Sequence, residues 1–162
     1  MKSLLRRNAP PARSPANPGV QSLARLSEPV RTLLIVDDDQ EVRDLETEIL
    51  SQQGYDVLQA ASVAEALRVA ASTSAIDLLI TDLAMPEADG LELTRRFRTV
   101  HPKTPVLIVS GSLPLLRAWS EEDLDRFEFL PKPFQVNELL QKVRTLLDAA
   151  TPVAIRKSWC CD

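Results

Sequence analysis

Two short apolar runs in this chain end in aspartate. Leu33-Leu34-Ile35-Val36 leads into Asp37-Asp38-Asp39, and the run from Ile76 to Thr81 leads into Asp82. Two further runs end in other polar groups. Pro105 to Val109 is followed by Ser110-Gly111, and Phe127 to Leu130 by Lys132 between two prolines. Ionised carboxylates gathered in one crevice repel one another, and a bound divalent cation resolves the repulsion. A ligand set of oxygens without His or Cys favours a hard ion, and a few carboxylates completed by water suit Mg²⁺. The bland alternative is that these aspartates cap helices or end strands. Asp39 fits that alternative, because it stands directly before a helical periodicity. Asp37, Asp38 and Asp82 do not, since acidic groups at the ends of buried apolar strands are a poor choice for stability alone.

The elements that must position these residues alternate along the chain. The continuous apolar runs read as strands buried on both faces. Val42, Leu45, Ile49 and Leu50 recur at helical spacing, and Gly54 stops that helix. Tyr55 to Gln59 reads as a strand. Ser62-Val63-Ala64-Glu65 has the pattern of a capping box and opens a helix through Ala71. Helical spacing returns at Leu91, Leu93, Phe97 and Val100, more weakly from Leu115 to about Asp123, and strongly from Val136 to Leu147. Five strands alternating with five helices predict an α/β fold: a parallel sheet covered on both faces, with right-handed crossovers. Ligands of such sheets bind beyond the carboxyl ends of the strands, where the strand order reverses. If the order is 2-1-3-4-5, strands one and three are neighbours there, and Asp37, Asp38 and Asp82 converge.

The motifs together resemble the receiver domain of bacterial response regulators. They are Leu34-Ile35-Val36-Asp37-Asp38-Asp39, Thr81-Asp82-Leu83-Ala84-Met85-Pro86, Asp89-Gly90, Val109-Ser110-Gly111 and Pro131-Lys132-Pro133-Phe134, all in family order over residues 31–150. An acidic pair or a Lys-Pro is a weak signal alone, whereas the ordered set is specific. The resemblance implies a flavodoxin-like, doubly wound five-stranded parallel sheet of order 2-1-3-4-5 flanked by five helices. It implies a stand-alone response regulator of a two-component phosphorelay, cytoplasmic and not an enzyme in the ordinary sense. The alternative is a phosphorelay intermediate or phosphate sink without its own output.

By the same resemblance Asp82 is the phosphoacceptor, attacking a phosphoryl group carried by a histidine kinase or histidine phosphotransfer protein. Mg²⁺ is the implied cofactor, held by Asp38, Asp82 and the backbone carbonyl of Ala84, with Asp37 acting through a metal-bound water. Lys132 supplies a fixed cation to the phosphoryl oxygens, and the Lys132–Pro133 bond is a candidate for cis. Ser110 donates its hydroxyl to the phosphate, and Ser110 with Phe129 forms the switch. The surface of the fourth predicted helix, strand five and the final helix is the implied face for a downstream protein, with Trp119 on it and self-association left open. Family members often carry Thr where Ser110 stands and Tyr where Phe129 stands. Ser keeps the hydroxyl, but Phe restricts the readout to packing. Ala84 and Ser112 occupy positions that modulate dephosphorylation in the family.

Composition bounds the rest. The chain has 162 residues and a formal net charge of −4. Residues 1–30 carry five basic groups against Glu28, whereas residues 31–150 carry twelve basic and twenty-one acidic groups. An acidic body argues against a nucleic-acid surface there, so no direct DNA binding is expected. No apolar run approaches the length of a membrane span. Five of the twelve prolines lie in the first 29 residues, and residues 1–30 read as a flexible Pro/Arg-rich extension. Residues 151–162 read as a tail, and its adjacent Cys160 and Cys161 lack the companions of a metal site. His101 reads as a solvated loop residue, and Arg95, Arg96 and Arg98 as a solvated helix face. An aspartate-nucleophile phosphohydrolase wants a second carboxylate two residues after the nucleophile and then a hydroxyl residue. Asp37 to Glu41 meets only the first condition.

Overall fold

A computed structural model describes residues 29–86, 90–111 and 127–150. The apolar runs form strands β1 (Thr32–Val36), β2 (Asp56–Ala60), β3 (Leu78–Asp82), β4 (Val106–Ser110) and β5 (Glu128–Pro131). Helices α1 (Gln40–Gln52), α2 (Val63–Ser72), α3 (Gly90–Val100) and α4 (Val136–Ala150) connect or follow them. The strands pair in parallel in the order β2-β1-β3-β4-β5, as the resemblance implied. The weaker helix expected from Leu115 to Asp123 lies outside the described residues. So do residues 1–28 and 151–162 of the predicted extension and tail. Pro29 and Val30 are exposed and without regular structure.

Alternation along each strand sends successive side chains to opposite faces, and two cores result. Leu34, Val36, Leu79 and Ile108 pack with Ala66, Leu93 and Phe97 beneath α2 and α3. Leu33, Ile35, Ile80, Leu107 and Val109 pack with Leu50, Leu139 and Leu147 beneath α1 and α4. Strands β1 and β4 are apolar at nearly every position because both faces are covered.

The element ends follow local chemistry. The Asp39 side chain accepts hydrogen bonds from Glu41 N at 2.9 Å and Val42 N at 3.3 Å, so it is the α1 N-cap as expected. Gly54, after α1, has φ of 90°, a conformation open to glycine at little cost. Ser62 Oγ accepts from Glu65 N at 3.2 Å, while the Glu65 carboxylate reaches back to Ala61 N at 2.8 Å. The reciprocal half of the capping box thus lands one residue earlier than the standard pattern.

Two sequence expectations are corrected. His101 is half-buried and packed, not a free loop side chain: its ring stacks on Phe97 at 5.0 Å, and Nε2 lies 2.9 Å from the Ala70 carbonyl oxygen. A carbonyl only accepts, so Nε2 carries the proton and joins the C-terminal end of α3 to that of α2. The arginine cluster also divides. Arg96 pairs with Glu92 on the exposed face, but the Arg98 guanidinium lies over the Phe127 ring, 4.6 Å from its centroid.

Gly90 opens α3 against the strand that carries Asp82. Its N–H donates to the Leu83 carbonyl at 2.9 Å, and the Thr94 hydroxyl donates to the Gly90 carbonyl at 2.7 Å. An added Cβ would overlap the backbone carbonyl oxygen of Asp82 and press on the Leu83 Cα. Neither is the end of a flexible side chain. Gly90→Ala is therefore expected to cost about 1–3 kcal/mol, the usual range for forcing atoms into a packed site. Urea unfolding of the variant checks this, and an unchanged midpoint would show that the approach is not tight.

Candidate functional site

Strand phase explains which side chains meet. Asp37 lies two residues after Ile35, Asp82 two after Ile80 and Lys132 two after Leu130, all on the α1 and α4 side of the sheet. Backbone pairing carries on past β1 and β5, with Asp37 N donating to Ala60 O at 3.3 Å and Lys132 N to Ser110 O at 2.9 Å. The Lys132 ammonium then donates to Asp37 Oδ2 at 3.0 Å and to Asp82 Oδ2 at 2.9 Å. The Lys132–Pro133 bond is cis. Burial lowers the lysine's proton affinity. The hydrogen bonds to Asp82 and Asp37, with their charges, outweigh that and raise its pKa above 10.5. Lys132 is thus a permanent cation between two carboxylates.

Asp37 is only 3% exposed. Its Oδ1 accepts from Asp39 N at 2.8 Å, and its backbone carbonyl accepts from the Arg43 guanidinium at 2.6 Å. Asp82 Oδ1 accepts from Ala84 N at 3.1 Å. Asp38, one residue out of phase, is exposed at the rim. The structure therefore brings Asp37, Asp82 and Lys132 together and sets Ala84 N against Asp82, with Asp38 exposed beside them in the chain. Among the described residues no three acidic, His or Cys side chains gather closely enough to enclose a metal ion. The expected convergence of Asp37, Asp38 and Asp82 is replaced here by a lysine bridge. The donor chemistry still fits a hard divalent cation. One lysine faces two carboxylates, so one negative charge stays uncompensated, and every side-chain ligand atom offered is oxygen.

Ser110 is 1% exposed at the end of β4. It lies one residue past Val109, which pairs with Asp82 across the sheet. Ile108 pairs with Phe129 and Ser110 with Pro131. Ser110 and Phe129 therefore share one sheet face, a two-residue step apart. Phe129 is partly buried against the α2–α3 core. Asp89, Ser112 and Trp119 lie outside the described residues.

Glu46 was missed by sequence reading. The spacing of Val42, Leu45, Ile49 and Leu50 placed Leu45 inward. The structure instead exposes Leu45 at 59% and buries Glu46 at 3%. The inner stripe of α1 runs through Glu46 and Leu50, one residue round from the apolar reading. Burial pushes the Glu46 carboxyl up to about 7, with Lys132 pulling it down and Asp37 and Asp82 pushing it up. The stripe at i, i+4 and i+8 from Val42 passes through Glu46, which was the available signal.

The 2-1-3-4-5 parallel sheet, with a lysine bridging two carboxylates at the strand ends, defines a receiver-type signalling module. The chain belongs to the response regulator receiver domain family, whose model matches residues 33–144. It is 38% identical over 124 residues to the response regulator MprA of Mycolicibacterium vanbaalenii, covering 76% of this chain and 53% of that protein. It is 33% identical over 123 residues to the DNA-binding transcriptional regulator NtrC of Azospirillum brasilense, covering 76% of this chain and 25% of that one. The chain thus spans between a quarter and about half of these longer relatives. Among solved structures, the receiver domain of the hybrid histidine kinase CckA matches with TM-score 0.62 and 34% identity, over 72% of this chain and 98% of that one. The response regulator TrrA of Thermotoga maritima, solved in complex with Mg²⁺-BeF, matches with TM-score 0.64 and 29% identity, over 72% and 99%. No helix among the described residues is long and apolar enough to cross a membrane.

Proposed function

We propose that this receiver accepts a phosphoryl group on Asp82 from a histidine kinase or histidine phosphotransfer protein, using Mg²⁺, and then changes its affinity for a partner protein in the cytoplasm. The observation that carries the reading is the Lys132 ammonium held between Asp82 and Asp37 at the strand ends. A carboxylate has to approach an anionic phosphoryl group, and fixed positive charge is what that encounter lacks. The complex of TrrA with Mg²⁺-BeF supports the choice of cation.

An Asp82 carboxylate oxygen forms the new bond to phosphorus as the bond from phosphorus to the donor's imidazole nitrogen breaks. When bound, Mg²⁺ supplies charge stabilisation to the transferring oxygens. Asp37, Asp38, Asp82 and the Ala84 carbonyl are the residues proposed to hold it. Lys132 exchanges a carboxylate oxygen for a phosphoryl oxygen and so remains paired throughout. The buried Ser110 hydroxyl is the proposed donor to the phosphate. Its shared face with Phe129 gives the movement a route toward β5. Because Phe129 has no hydroxyl, that end of the switch works by packing.

Incubation with acetyl phosphate and Mg²⁺ is expected to add one phosphoryl group, lost on mild alkaline hydrolysis as an acyl phosphate should be. Chelation by EDTA is expected to remove the reaction. Intact-mass measurement reads both, and labelling that is indifferent to the metal would refute the reading. Comparing partner capture with and without phosphorylation separates a binding switch from a relay intermediate, for which affinity would not change.

A further inference from the structure

A groove of about 470 Å³ opens between α1 and the segment after β5. Its walls include Val42, Leu45, Ile49 and Phe134, and the charged groups lining it are Glu46 and Lys132. Burying a carboxylate among apolar walls is costly unless a cation compensates it. Among the described residues the Glu46 carboxyl makes no hydrogen bond or ion pair, although it is 3% exposed. The one cation lining its groove instead spends two of its three ammonium protons on Asp37 and Asp82.

Both Asp82 oxygens already accept a hydrogen bond, one from Ala84 N and one from Lys132. A carboxylate tied to an ammonium is a weaker ligand and a weaker nucleophile than a free one. The lysine must loosen before Asp82 can do either task. The groove gives its side chain room to turn, and Glu46 is the anion waiting there.

We propose that Glu46 is a positioning residue for Lys132, a second anchor across the groove that draws the ammonium off Asp37 and Asp82 when those carboxylates engage a divalent cation. The proposal rests on the metal-dependent reading above and adds a residue to it. Glu46 acts only through Lys132 and touches neither phosphoryl donor nor acceptor.

The test is a double-mutant cycle read by Mg²⁺ affinity, measured by calorimetry at pH 8, where Glu46 is ionised. The groups facing it are Lys132, Asp37 and Asp82. Glu46→Gln is expected to weaken Mg²⁺ binding about fivefold in the parent chain, the lower range of coupling between neighbouring charges. In the Lys132→Met background the same change is expected to have less than about a twofold effect. An equal effect in both backgrounds would show that Glu46 acts by its field alone and would overturn the proposal. So would no effect in the parent. Glu46→Asp, which keeps the charge, is expected to recover most of the affinity, and a loss as deep as that of Glu46→Gln would count against the anchor. If the parent protein binds no Mg²⁺, the metal-dependent reading itself fails. If it binds Mg²⁺ with an additive cycle, only the role of Glu46 does.

Discussion

Replacing Asp82 with asparagine is expected to reduce Mg²⁺-dependent phosphoryl labelling on the order of a thousandfold or more, because the amide offers no anionic oxygen to phosphorus. The exchange is close to isosteric. The Asn oxygen can still accept from Ala84 N, where Asp82 Oδ1 accepts at 3.1 Å, so the turn after β3 keeps its shape. Lys132 keeps its bond to Asp37. The fold should therefore survive, and the lost labelling reports chemistry rather than unfolding. Intact mass and far-ultraviolet circular dichroism on one sample separate the two. Asp37→Asn should behave differently. It leaves the nucleophile in place, and its defect should shrink as Mg²⁺ is raised. Labelling of Asp82→Asn at the parent rate would remove Asp82 from the reaction.

The backbone of this site was legible in the sequence because its elements obey strong local rules. Apolar runs such as Leu33–Val36 and Val106–Val109 have one stable use in a chain that alternates with helices, a strand covered on both faces. Asp39 and Ser62 mark helix starts because their side-chain oxygens are of the type that caps a first turn, a preference readable from residue type alone. The approach of Asp37 to Asp82 followed from residue types at strand ends, once the strand order was supplied by resemblance, whereas the Lys132 bridge between them was not anticipated. Side-chain rotation was harder to read. Leu45 and Glu46 are adjacent on α1, and hydrophobicity favours the leucine inside. Packing against the sheet turned the helix so that the glutamate went in. The error arose because a helix face is set by what it packs on, whereas periodicity fixes it only to about one residue. His101 misled for a related reason. Its loop position suggested solvent, and its partners Phe97 and the Ala70 carbonyl lie on two helices whose ends meet only in the folded chain.

The pH dependence of stability should carry the signature of that buried glutamate. Below pH 4.5, the ordinary glutamate value, both folded and unfolded chains hold the proton. As pH rises from there the unfolded chain releases it, while the folded chain keeps it until about pH 7. The unfolded state then binds fewer protons, so stability falls with rising pH and the loss is complete once pH has passed the folded value. A shift from 4.5 to about 7 corresponds to about 3 kcal/mol. Glu46→Leu removes the titration and keeps a side chain suited to the groove. Its stability advantage over the parent should therefore grow by about 3 kcal/mol from pH 4.5 to pH 8. Lys132, whose pKa is raised above 10.5, stays charged across that window and adds no slope of its own. Urea unfolding of both proteins at several pH values measures the difference directly. An advantage independent of pH would mean that the carboxyl titrates as if in water, with its burial relieved by motion of α1. An advantage that grows as expected would mean that the fold is weakest at Glu46 where the residue is charged, the same condition under which it can anchor Lys132. The position then trades stability for control of the lysine, a cost typical of sites built for function.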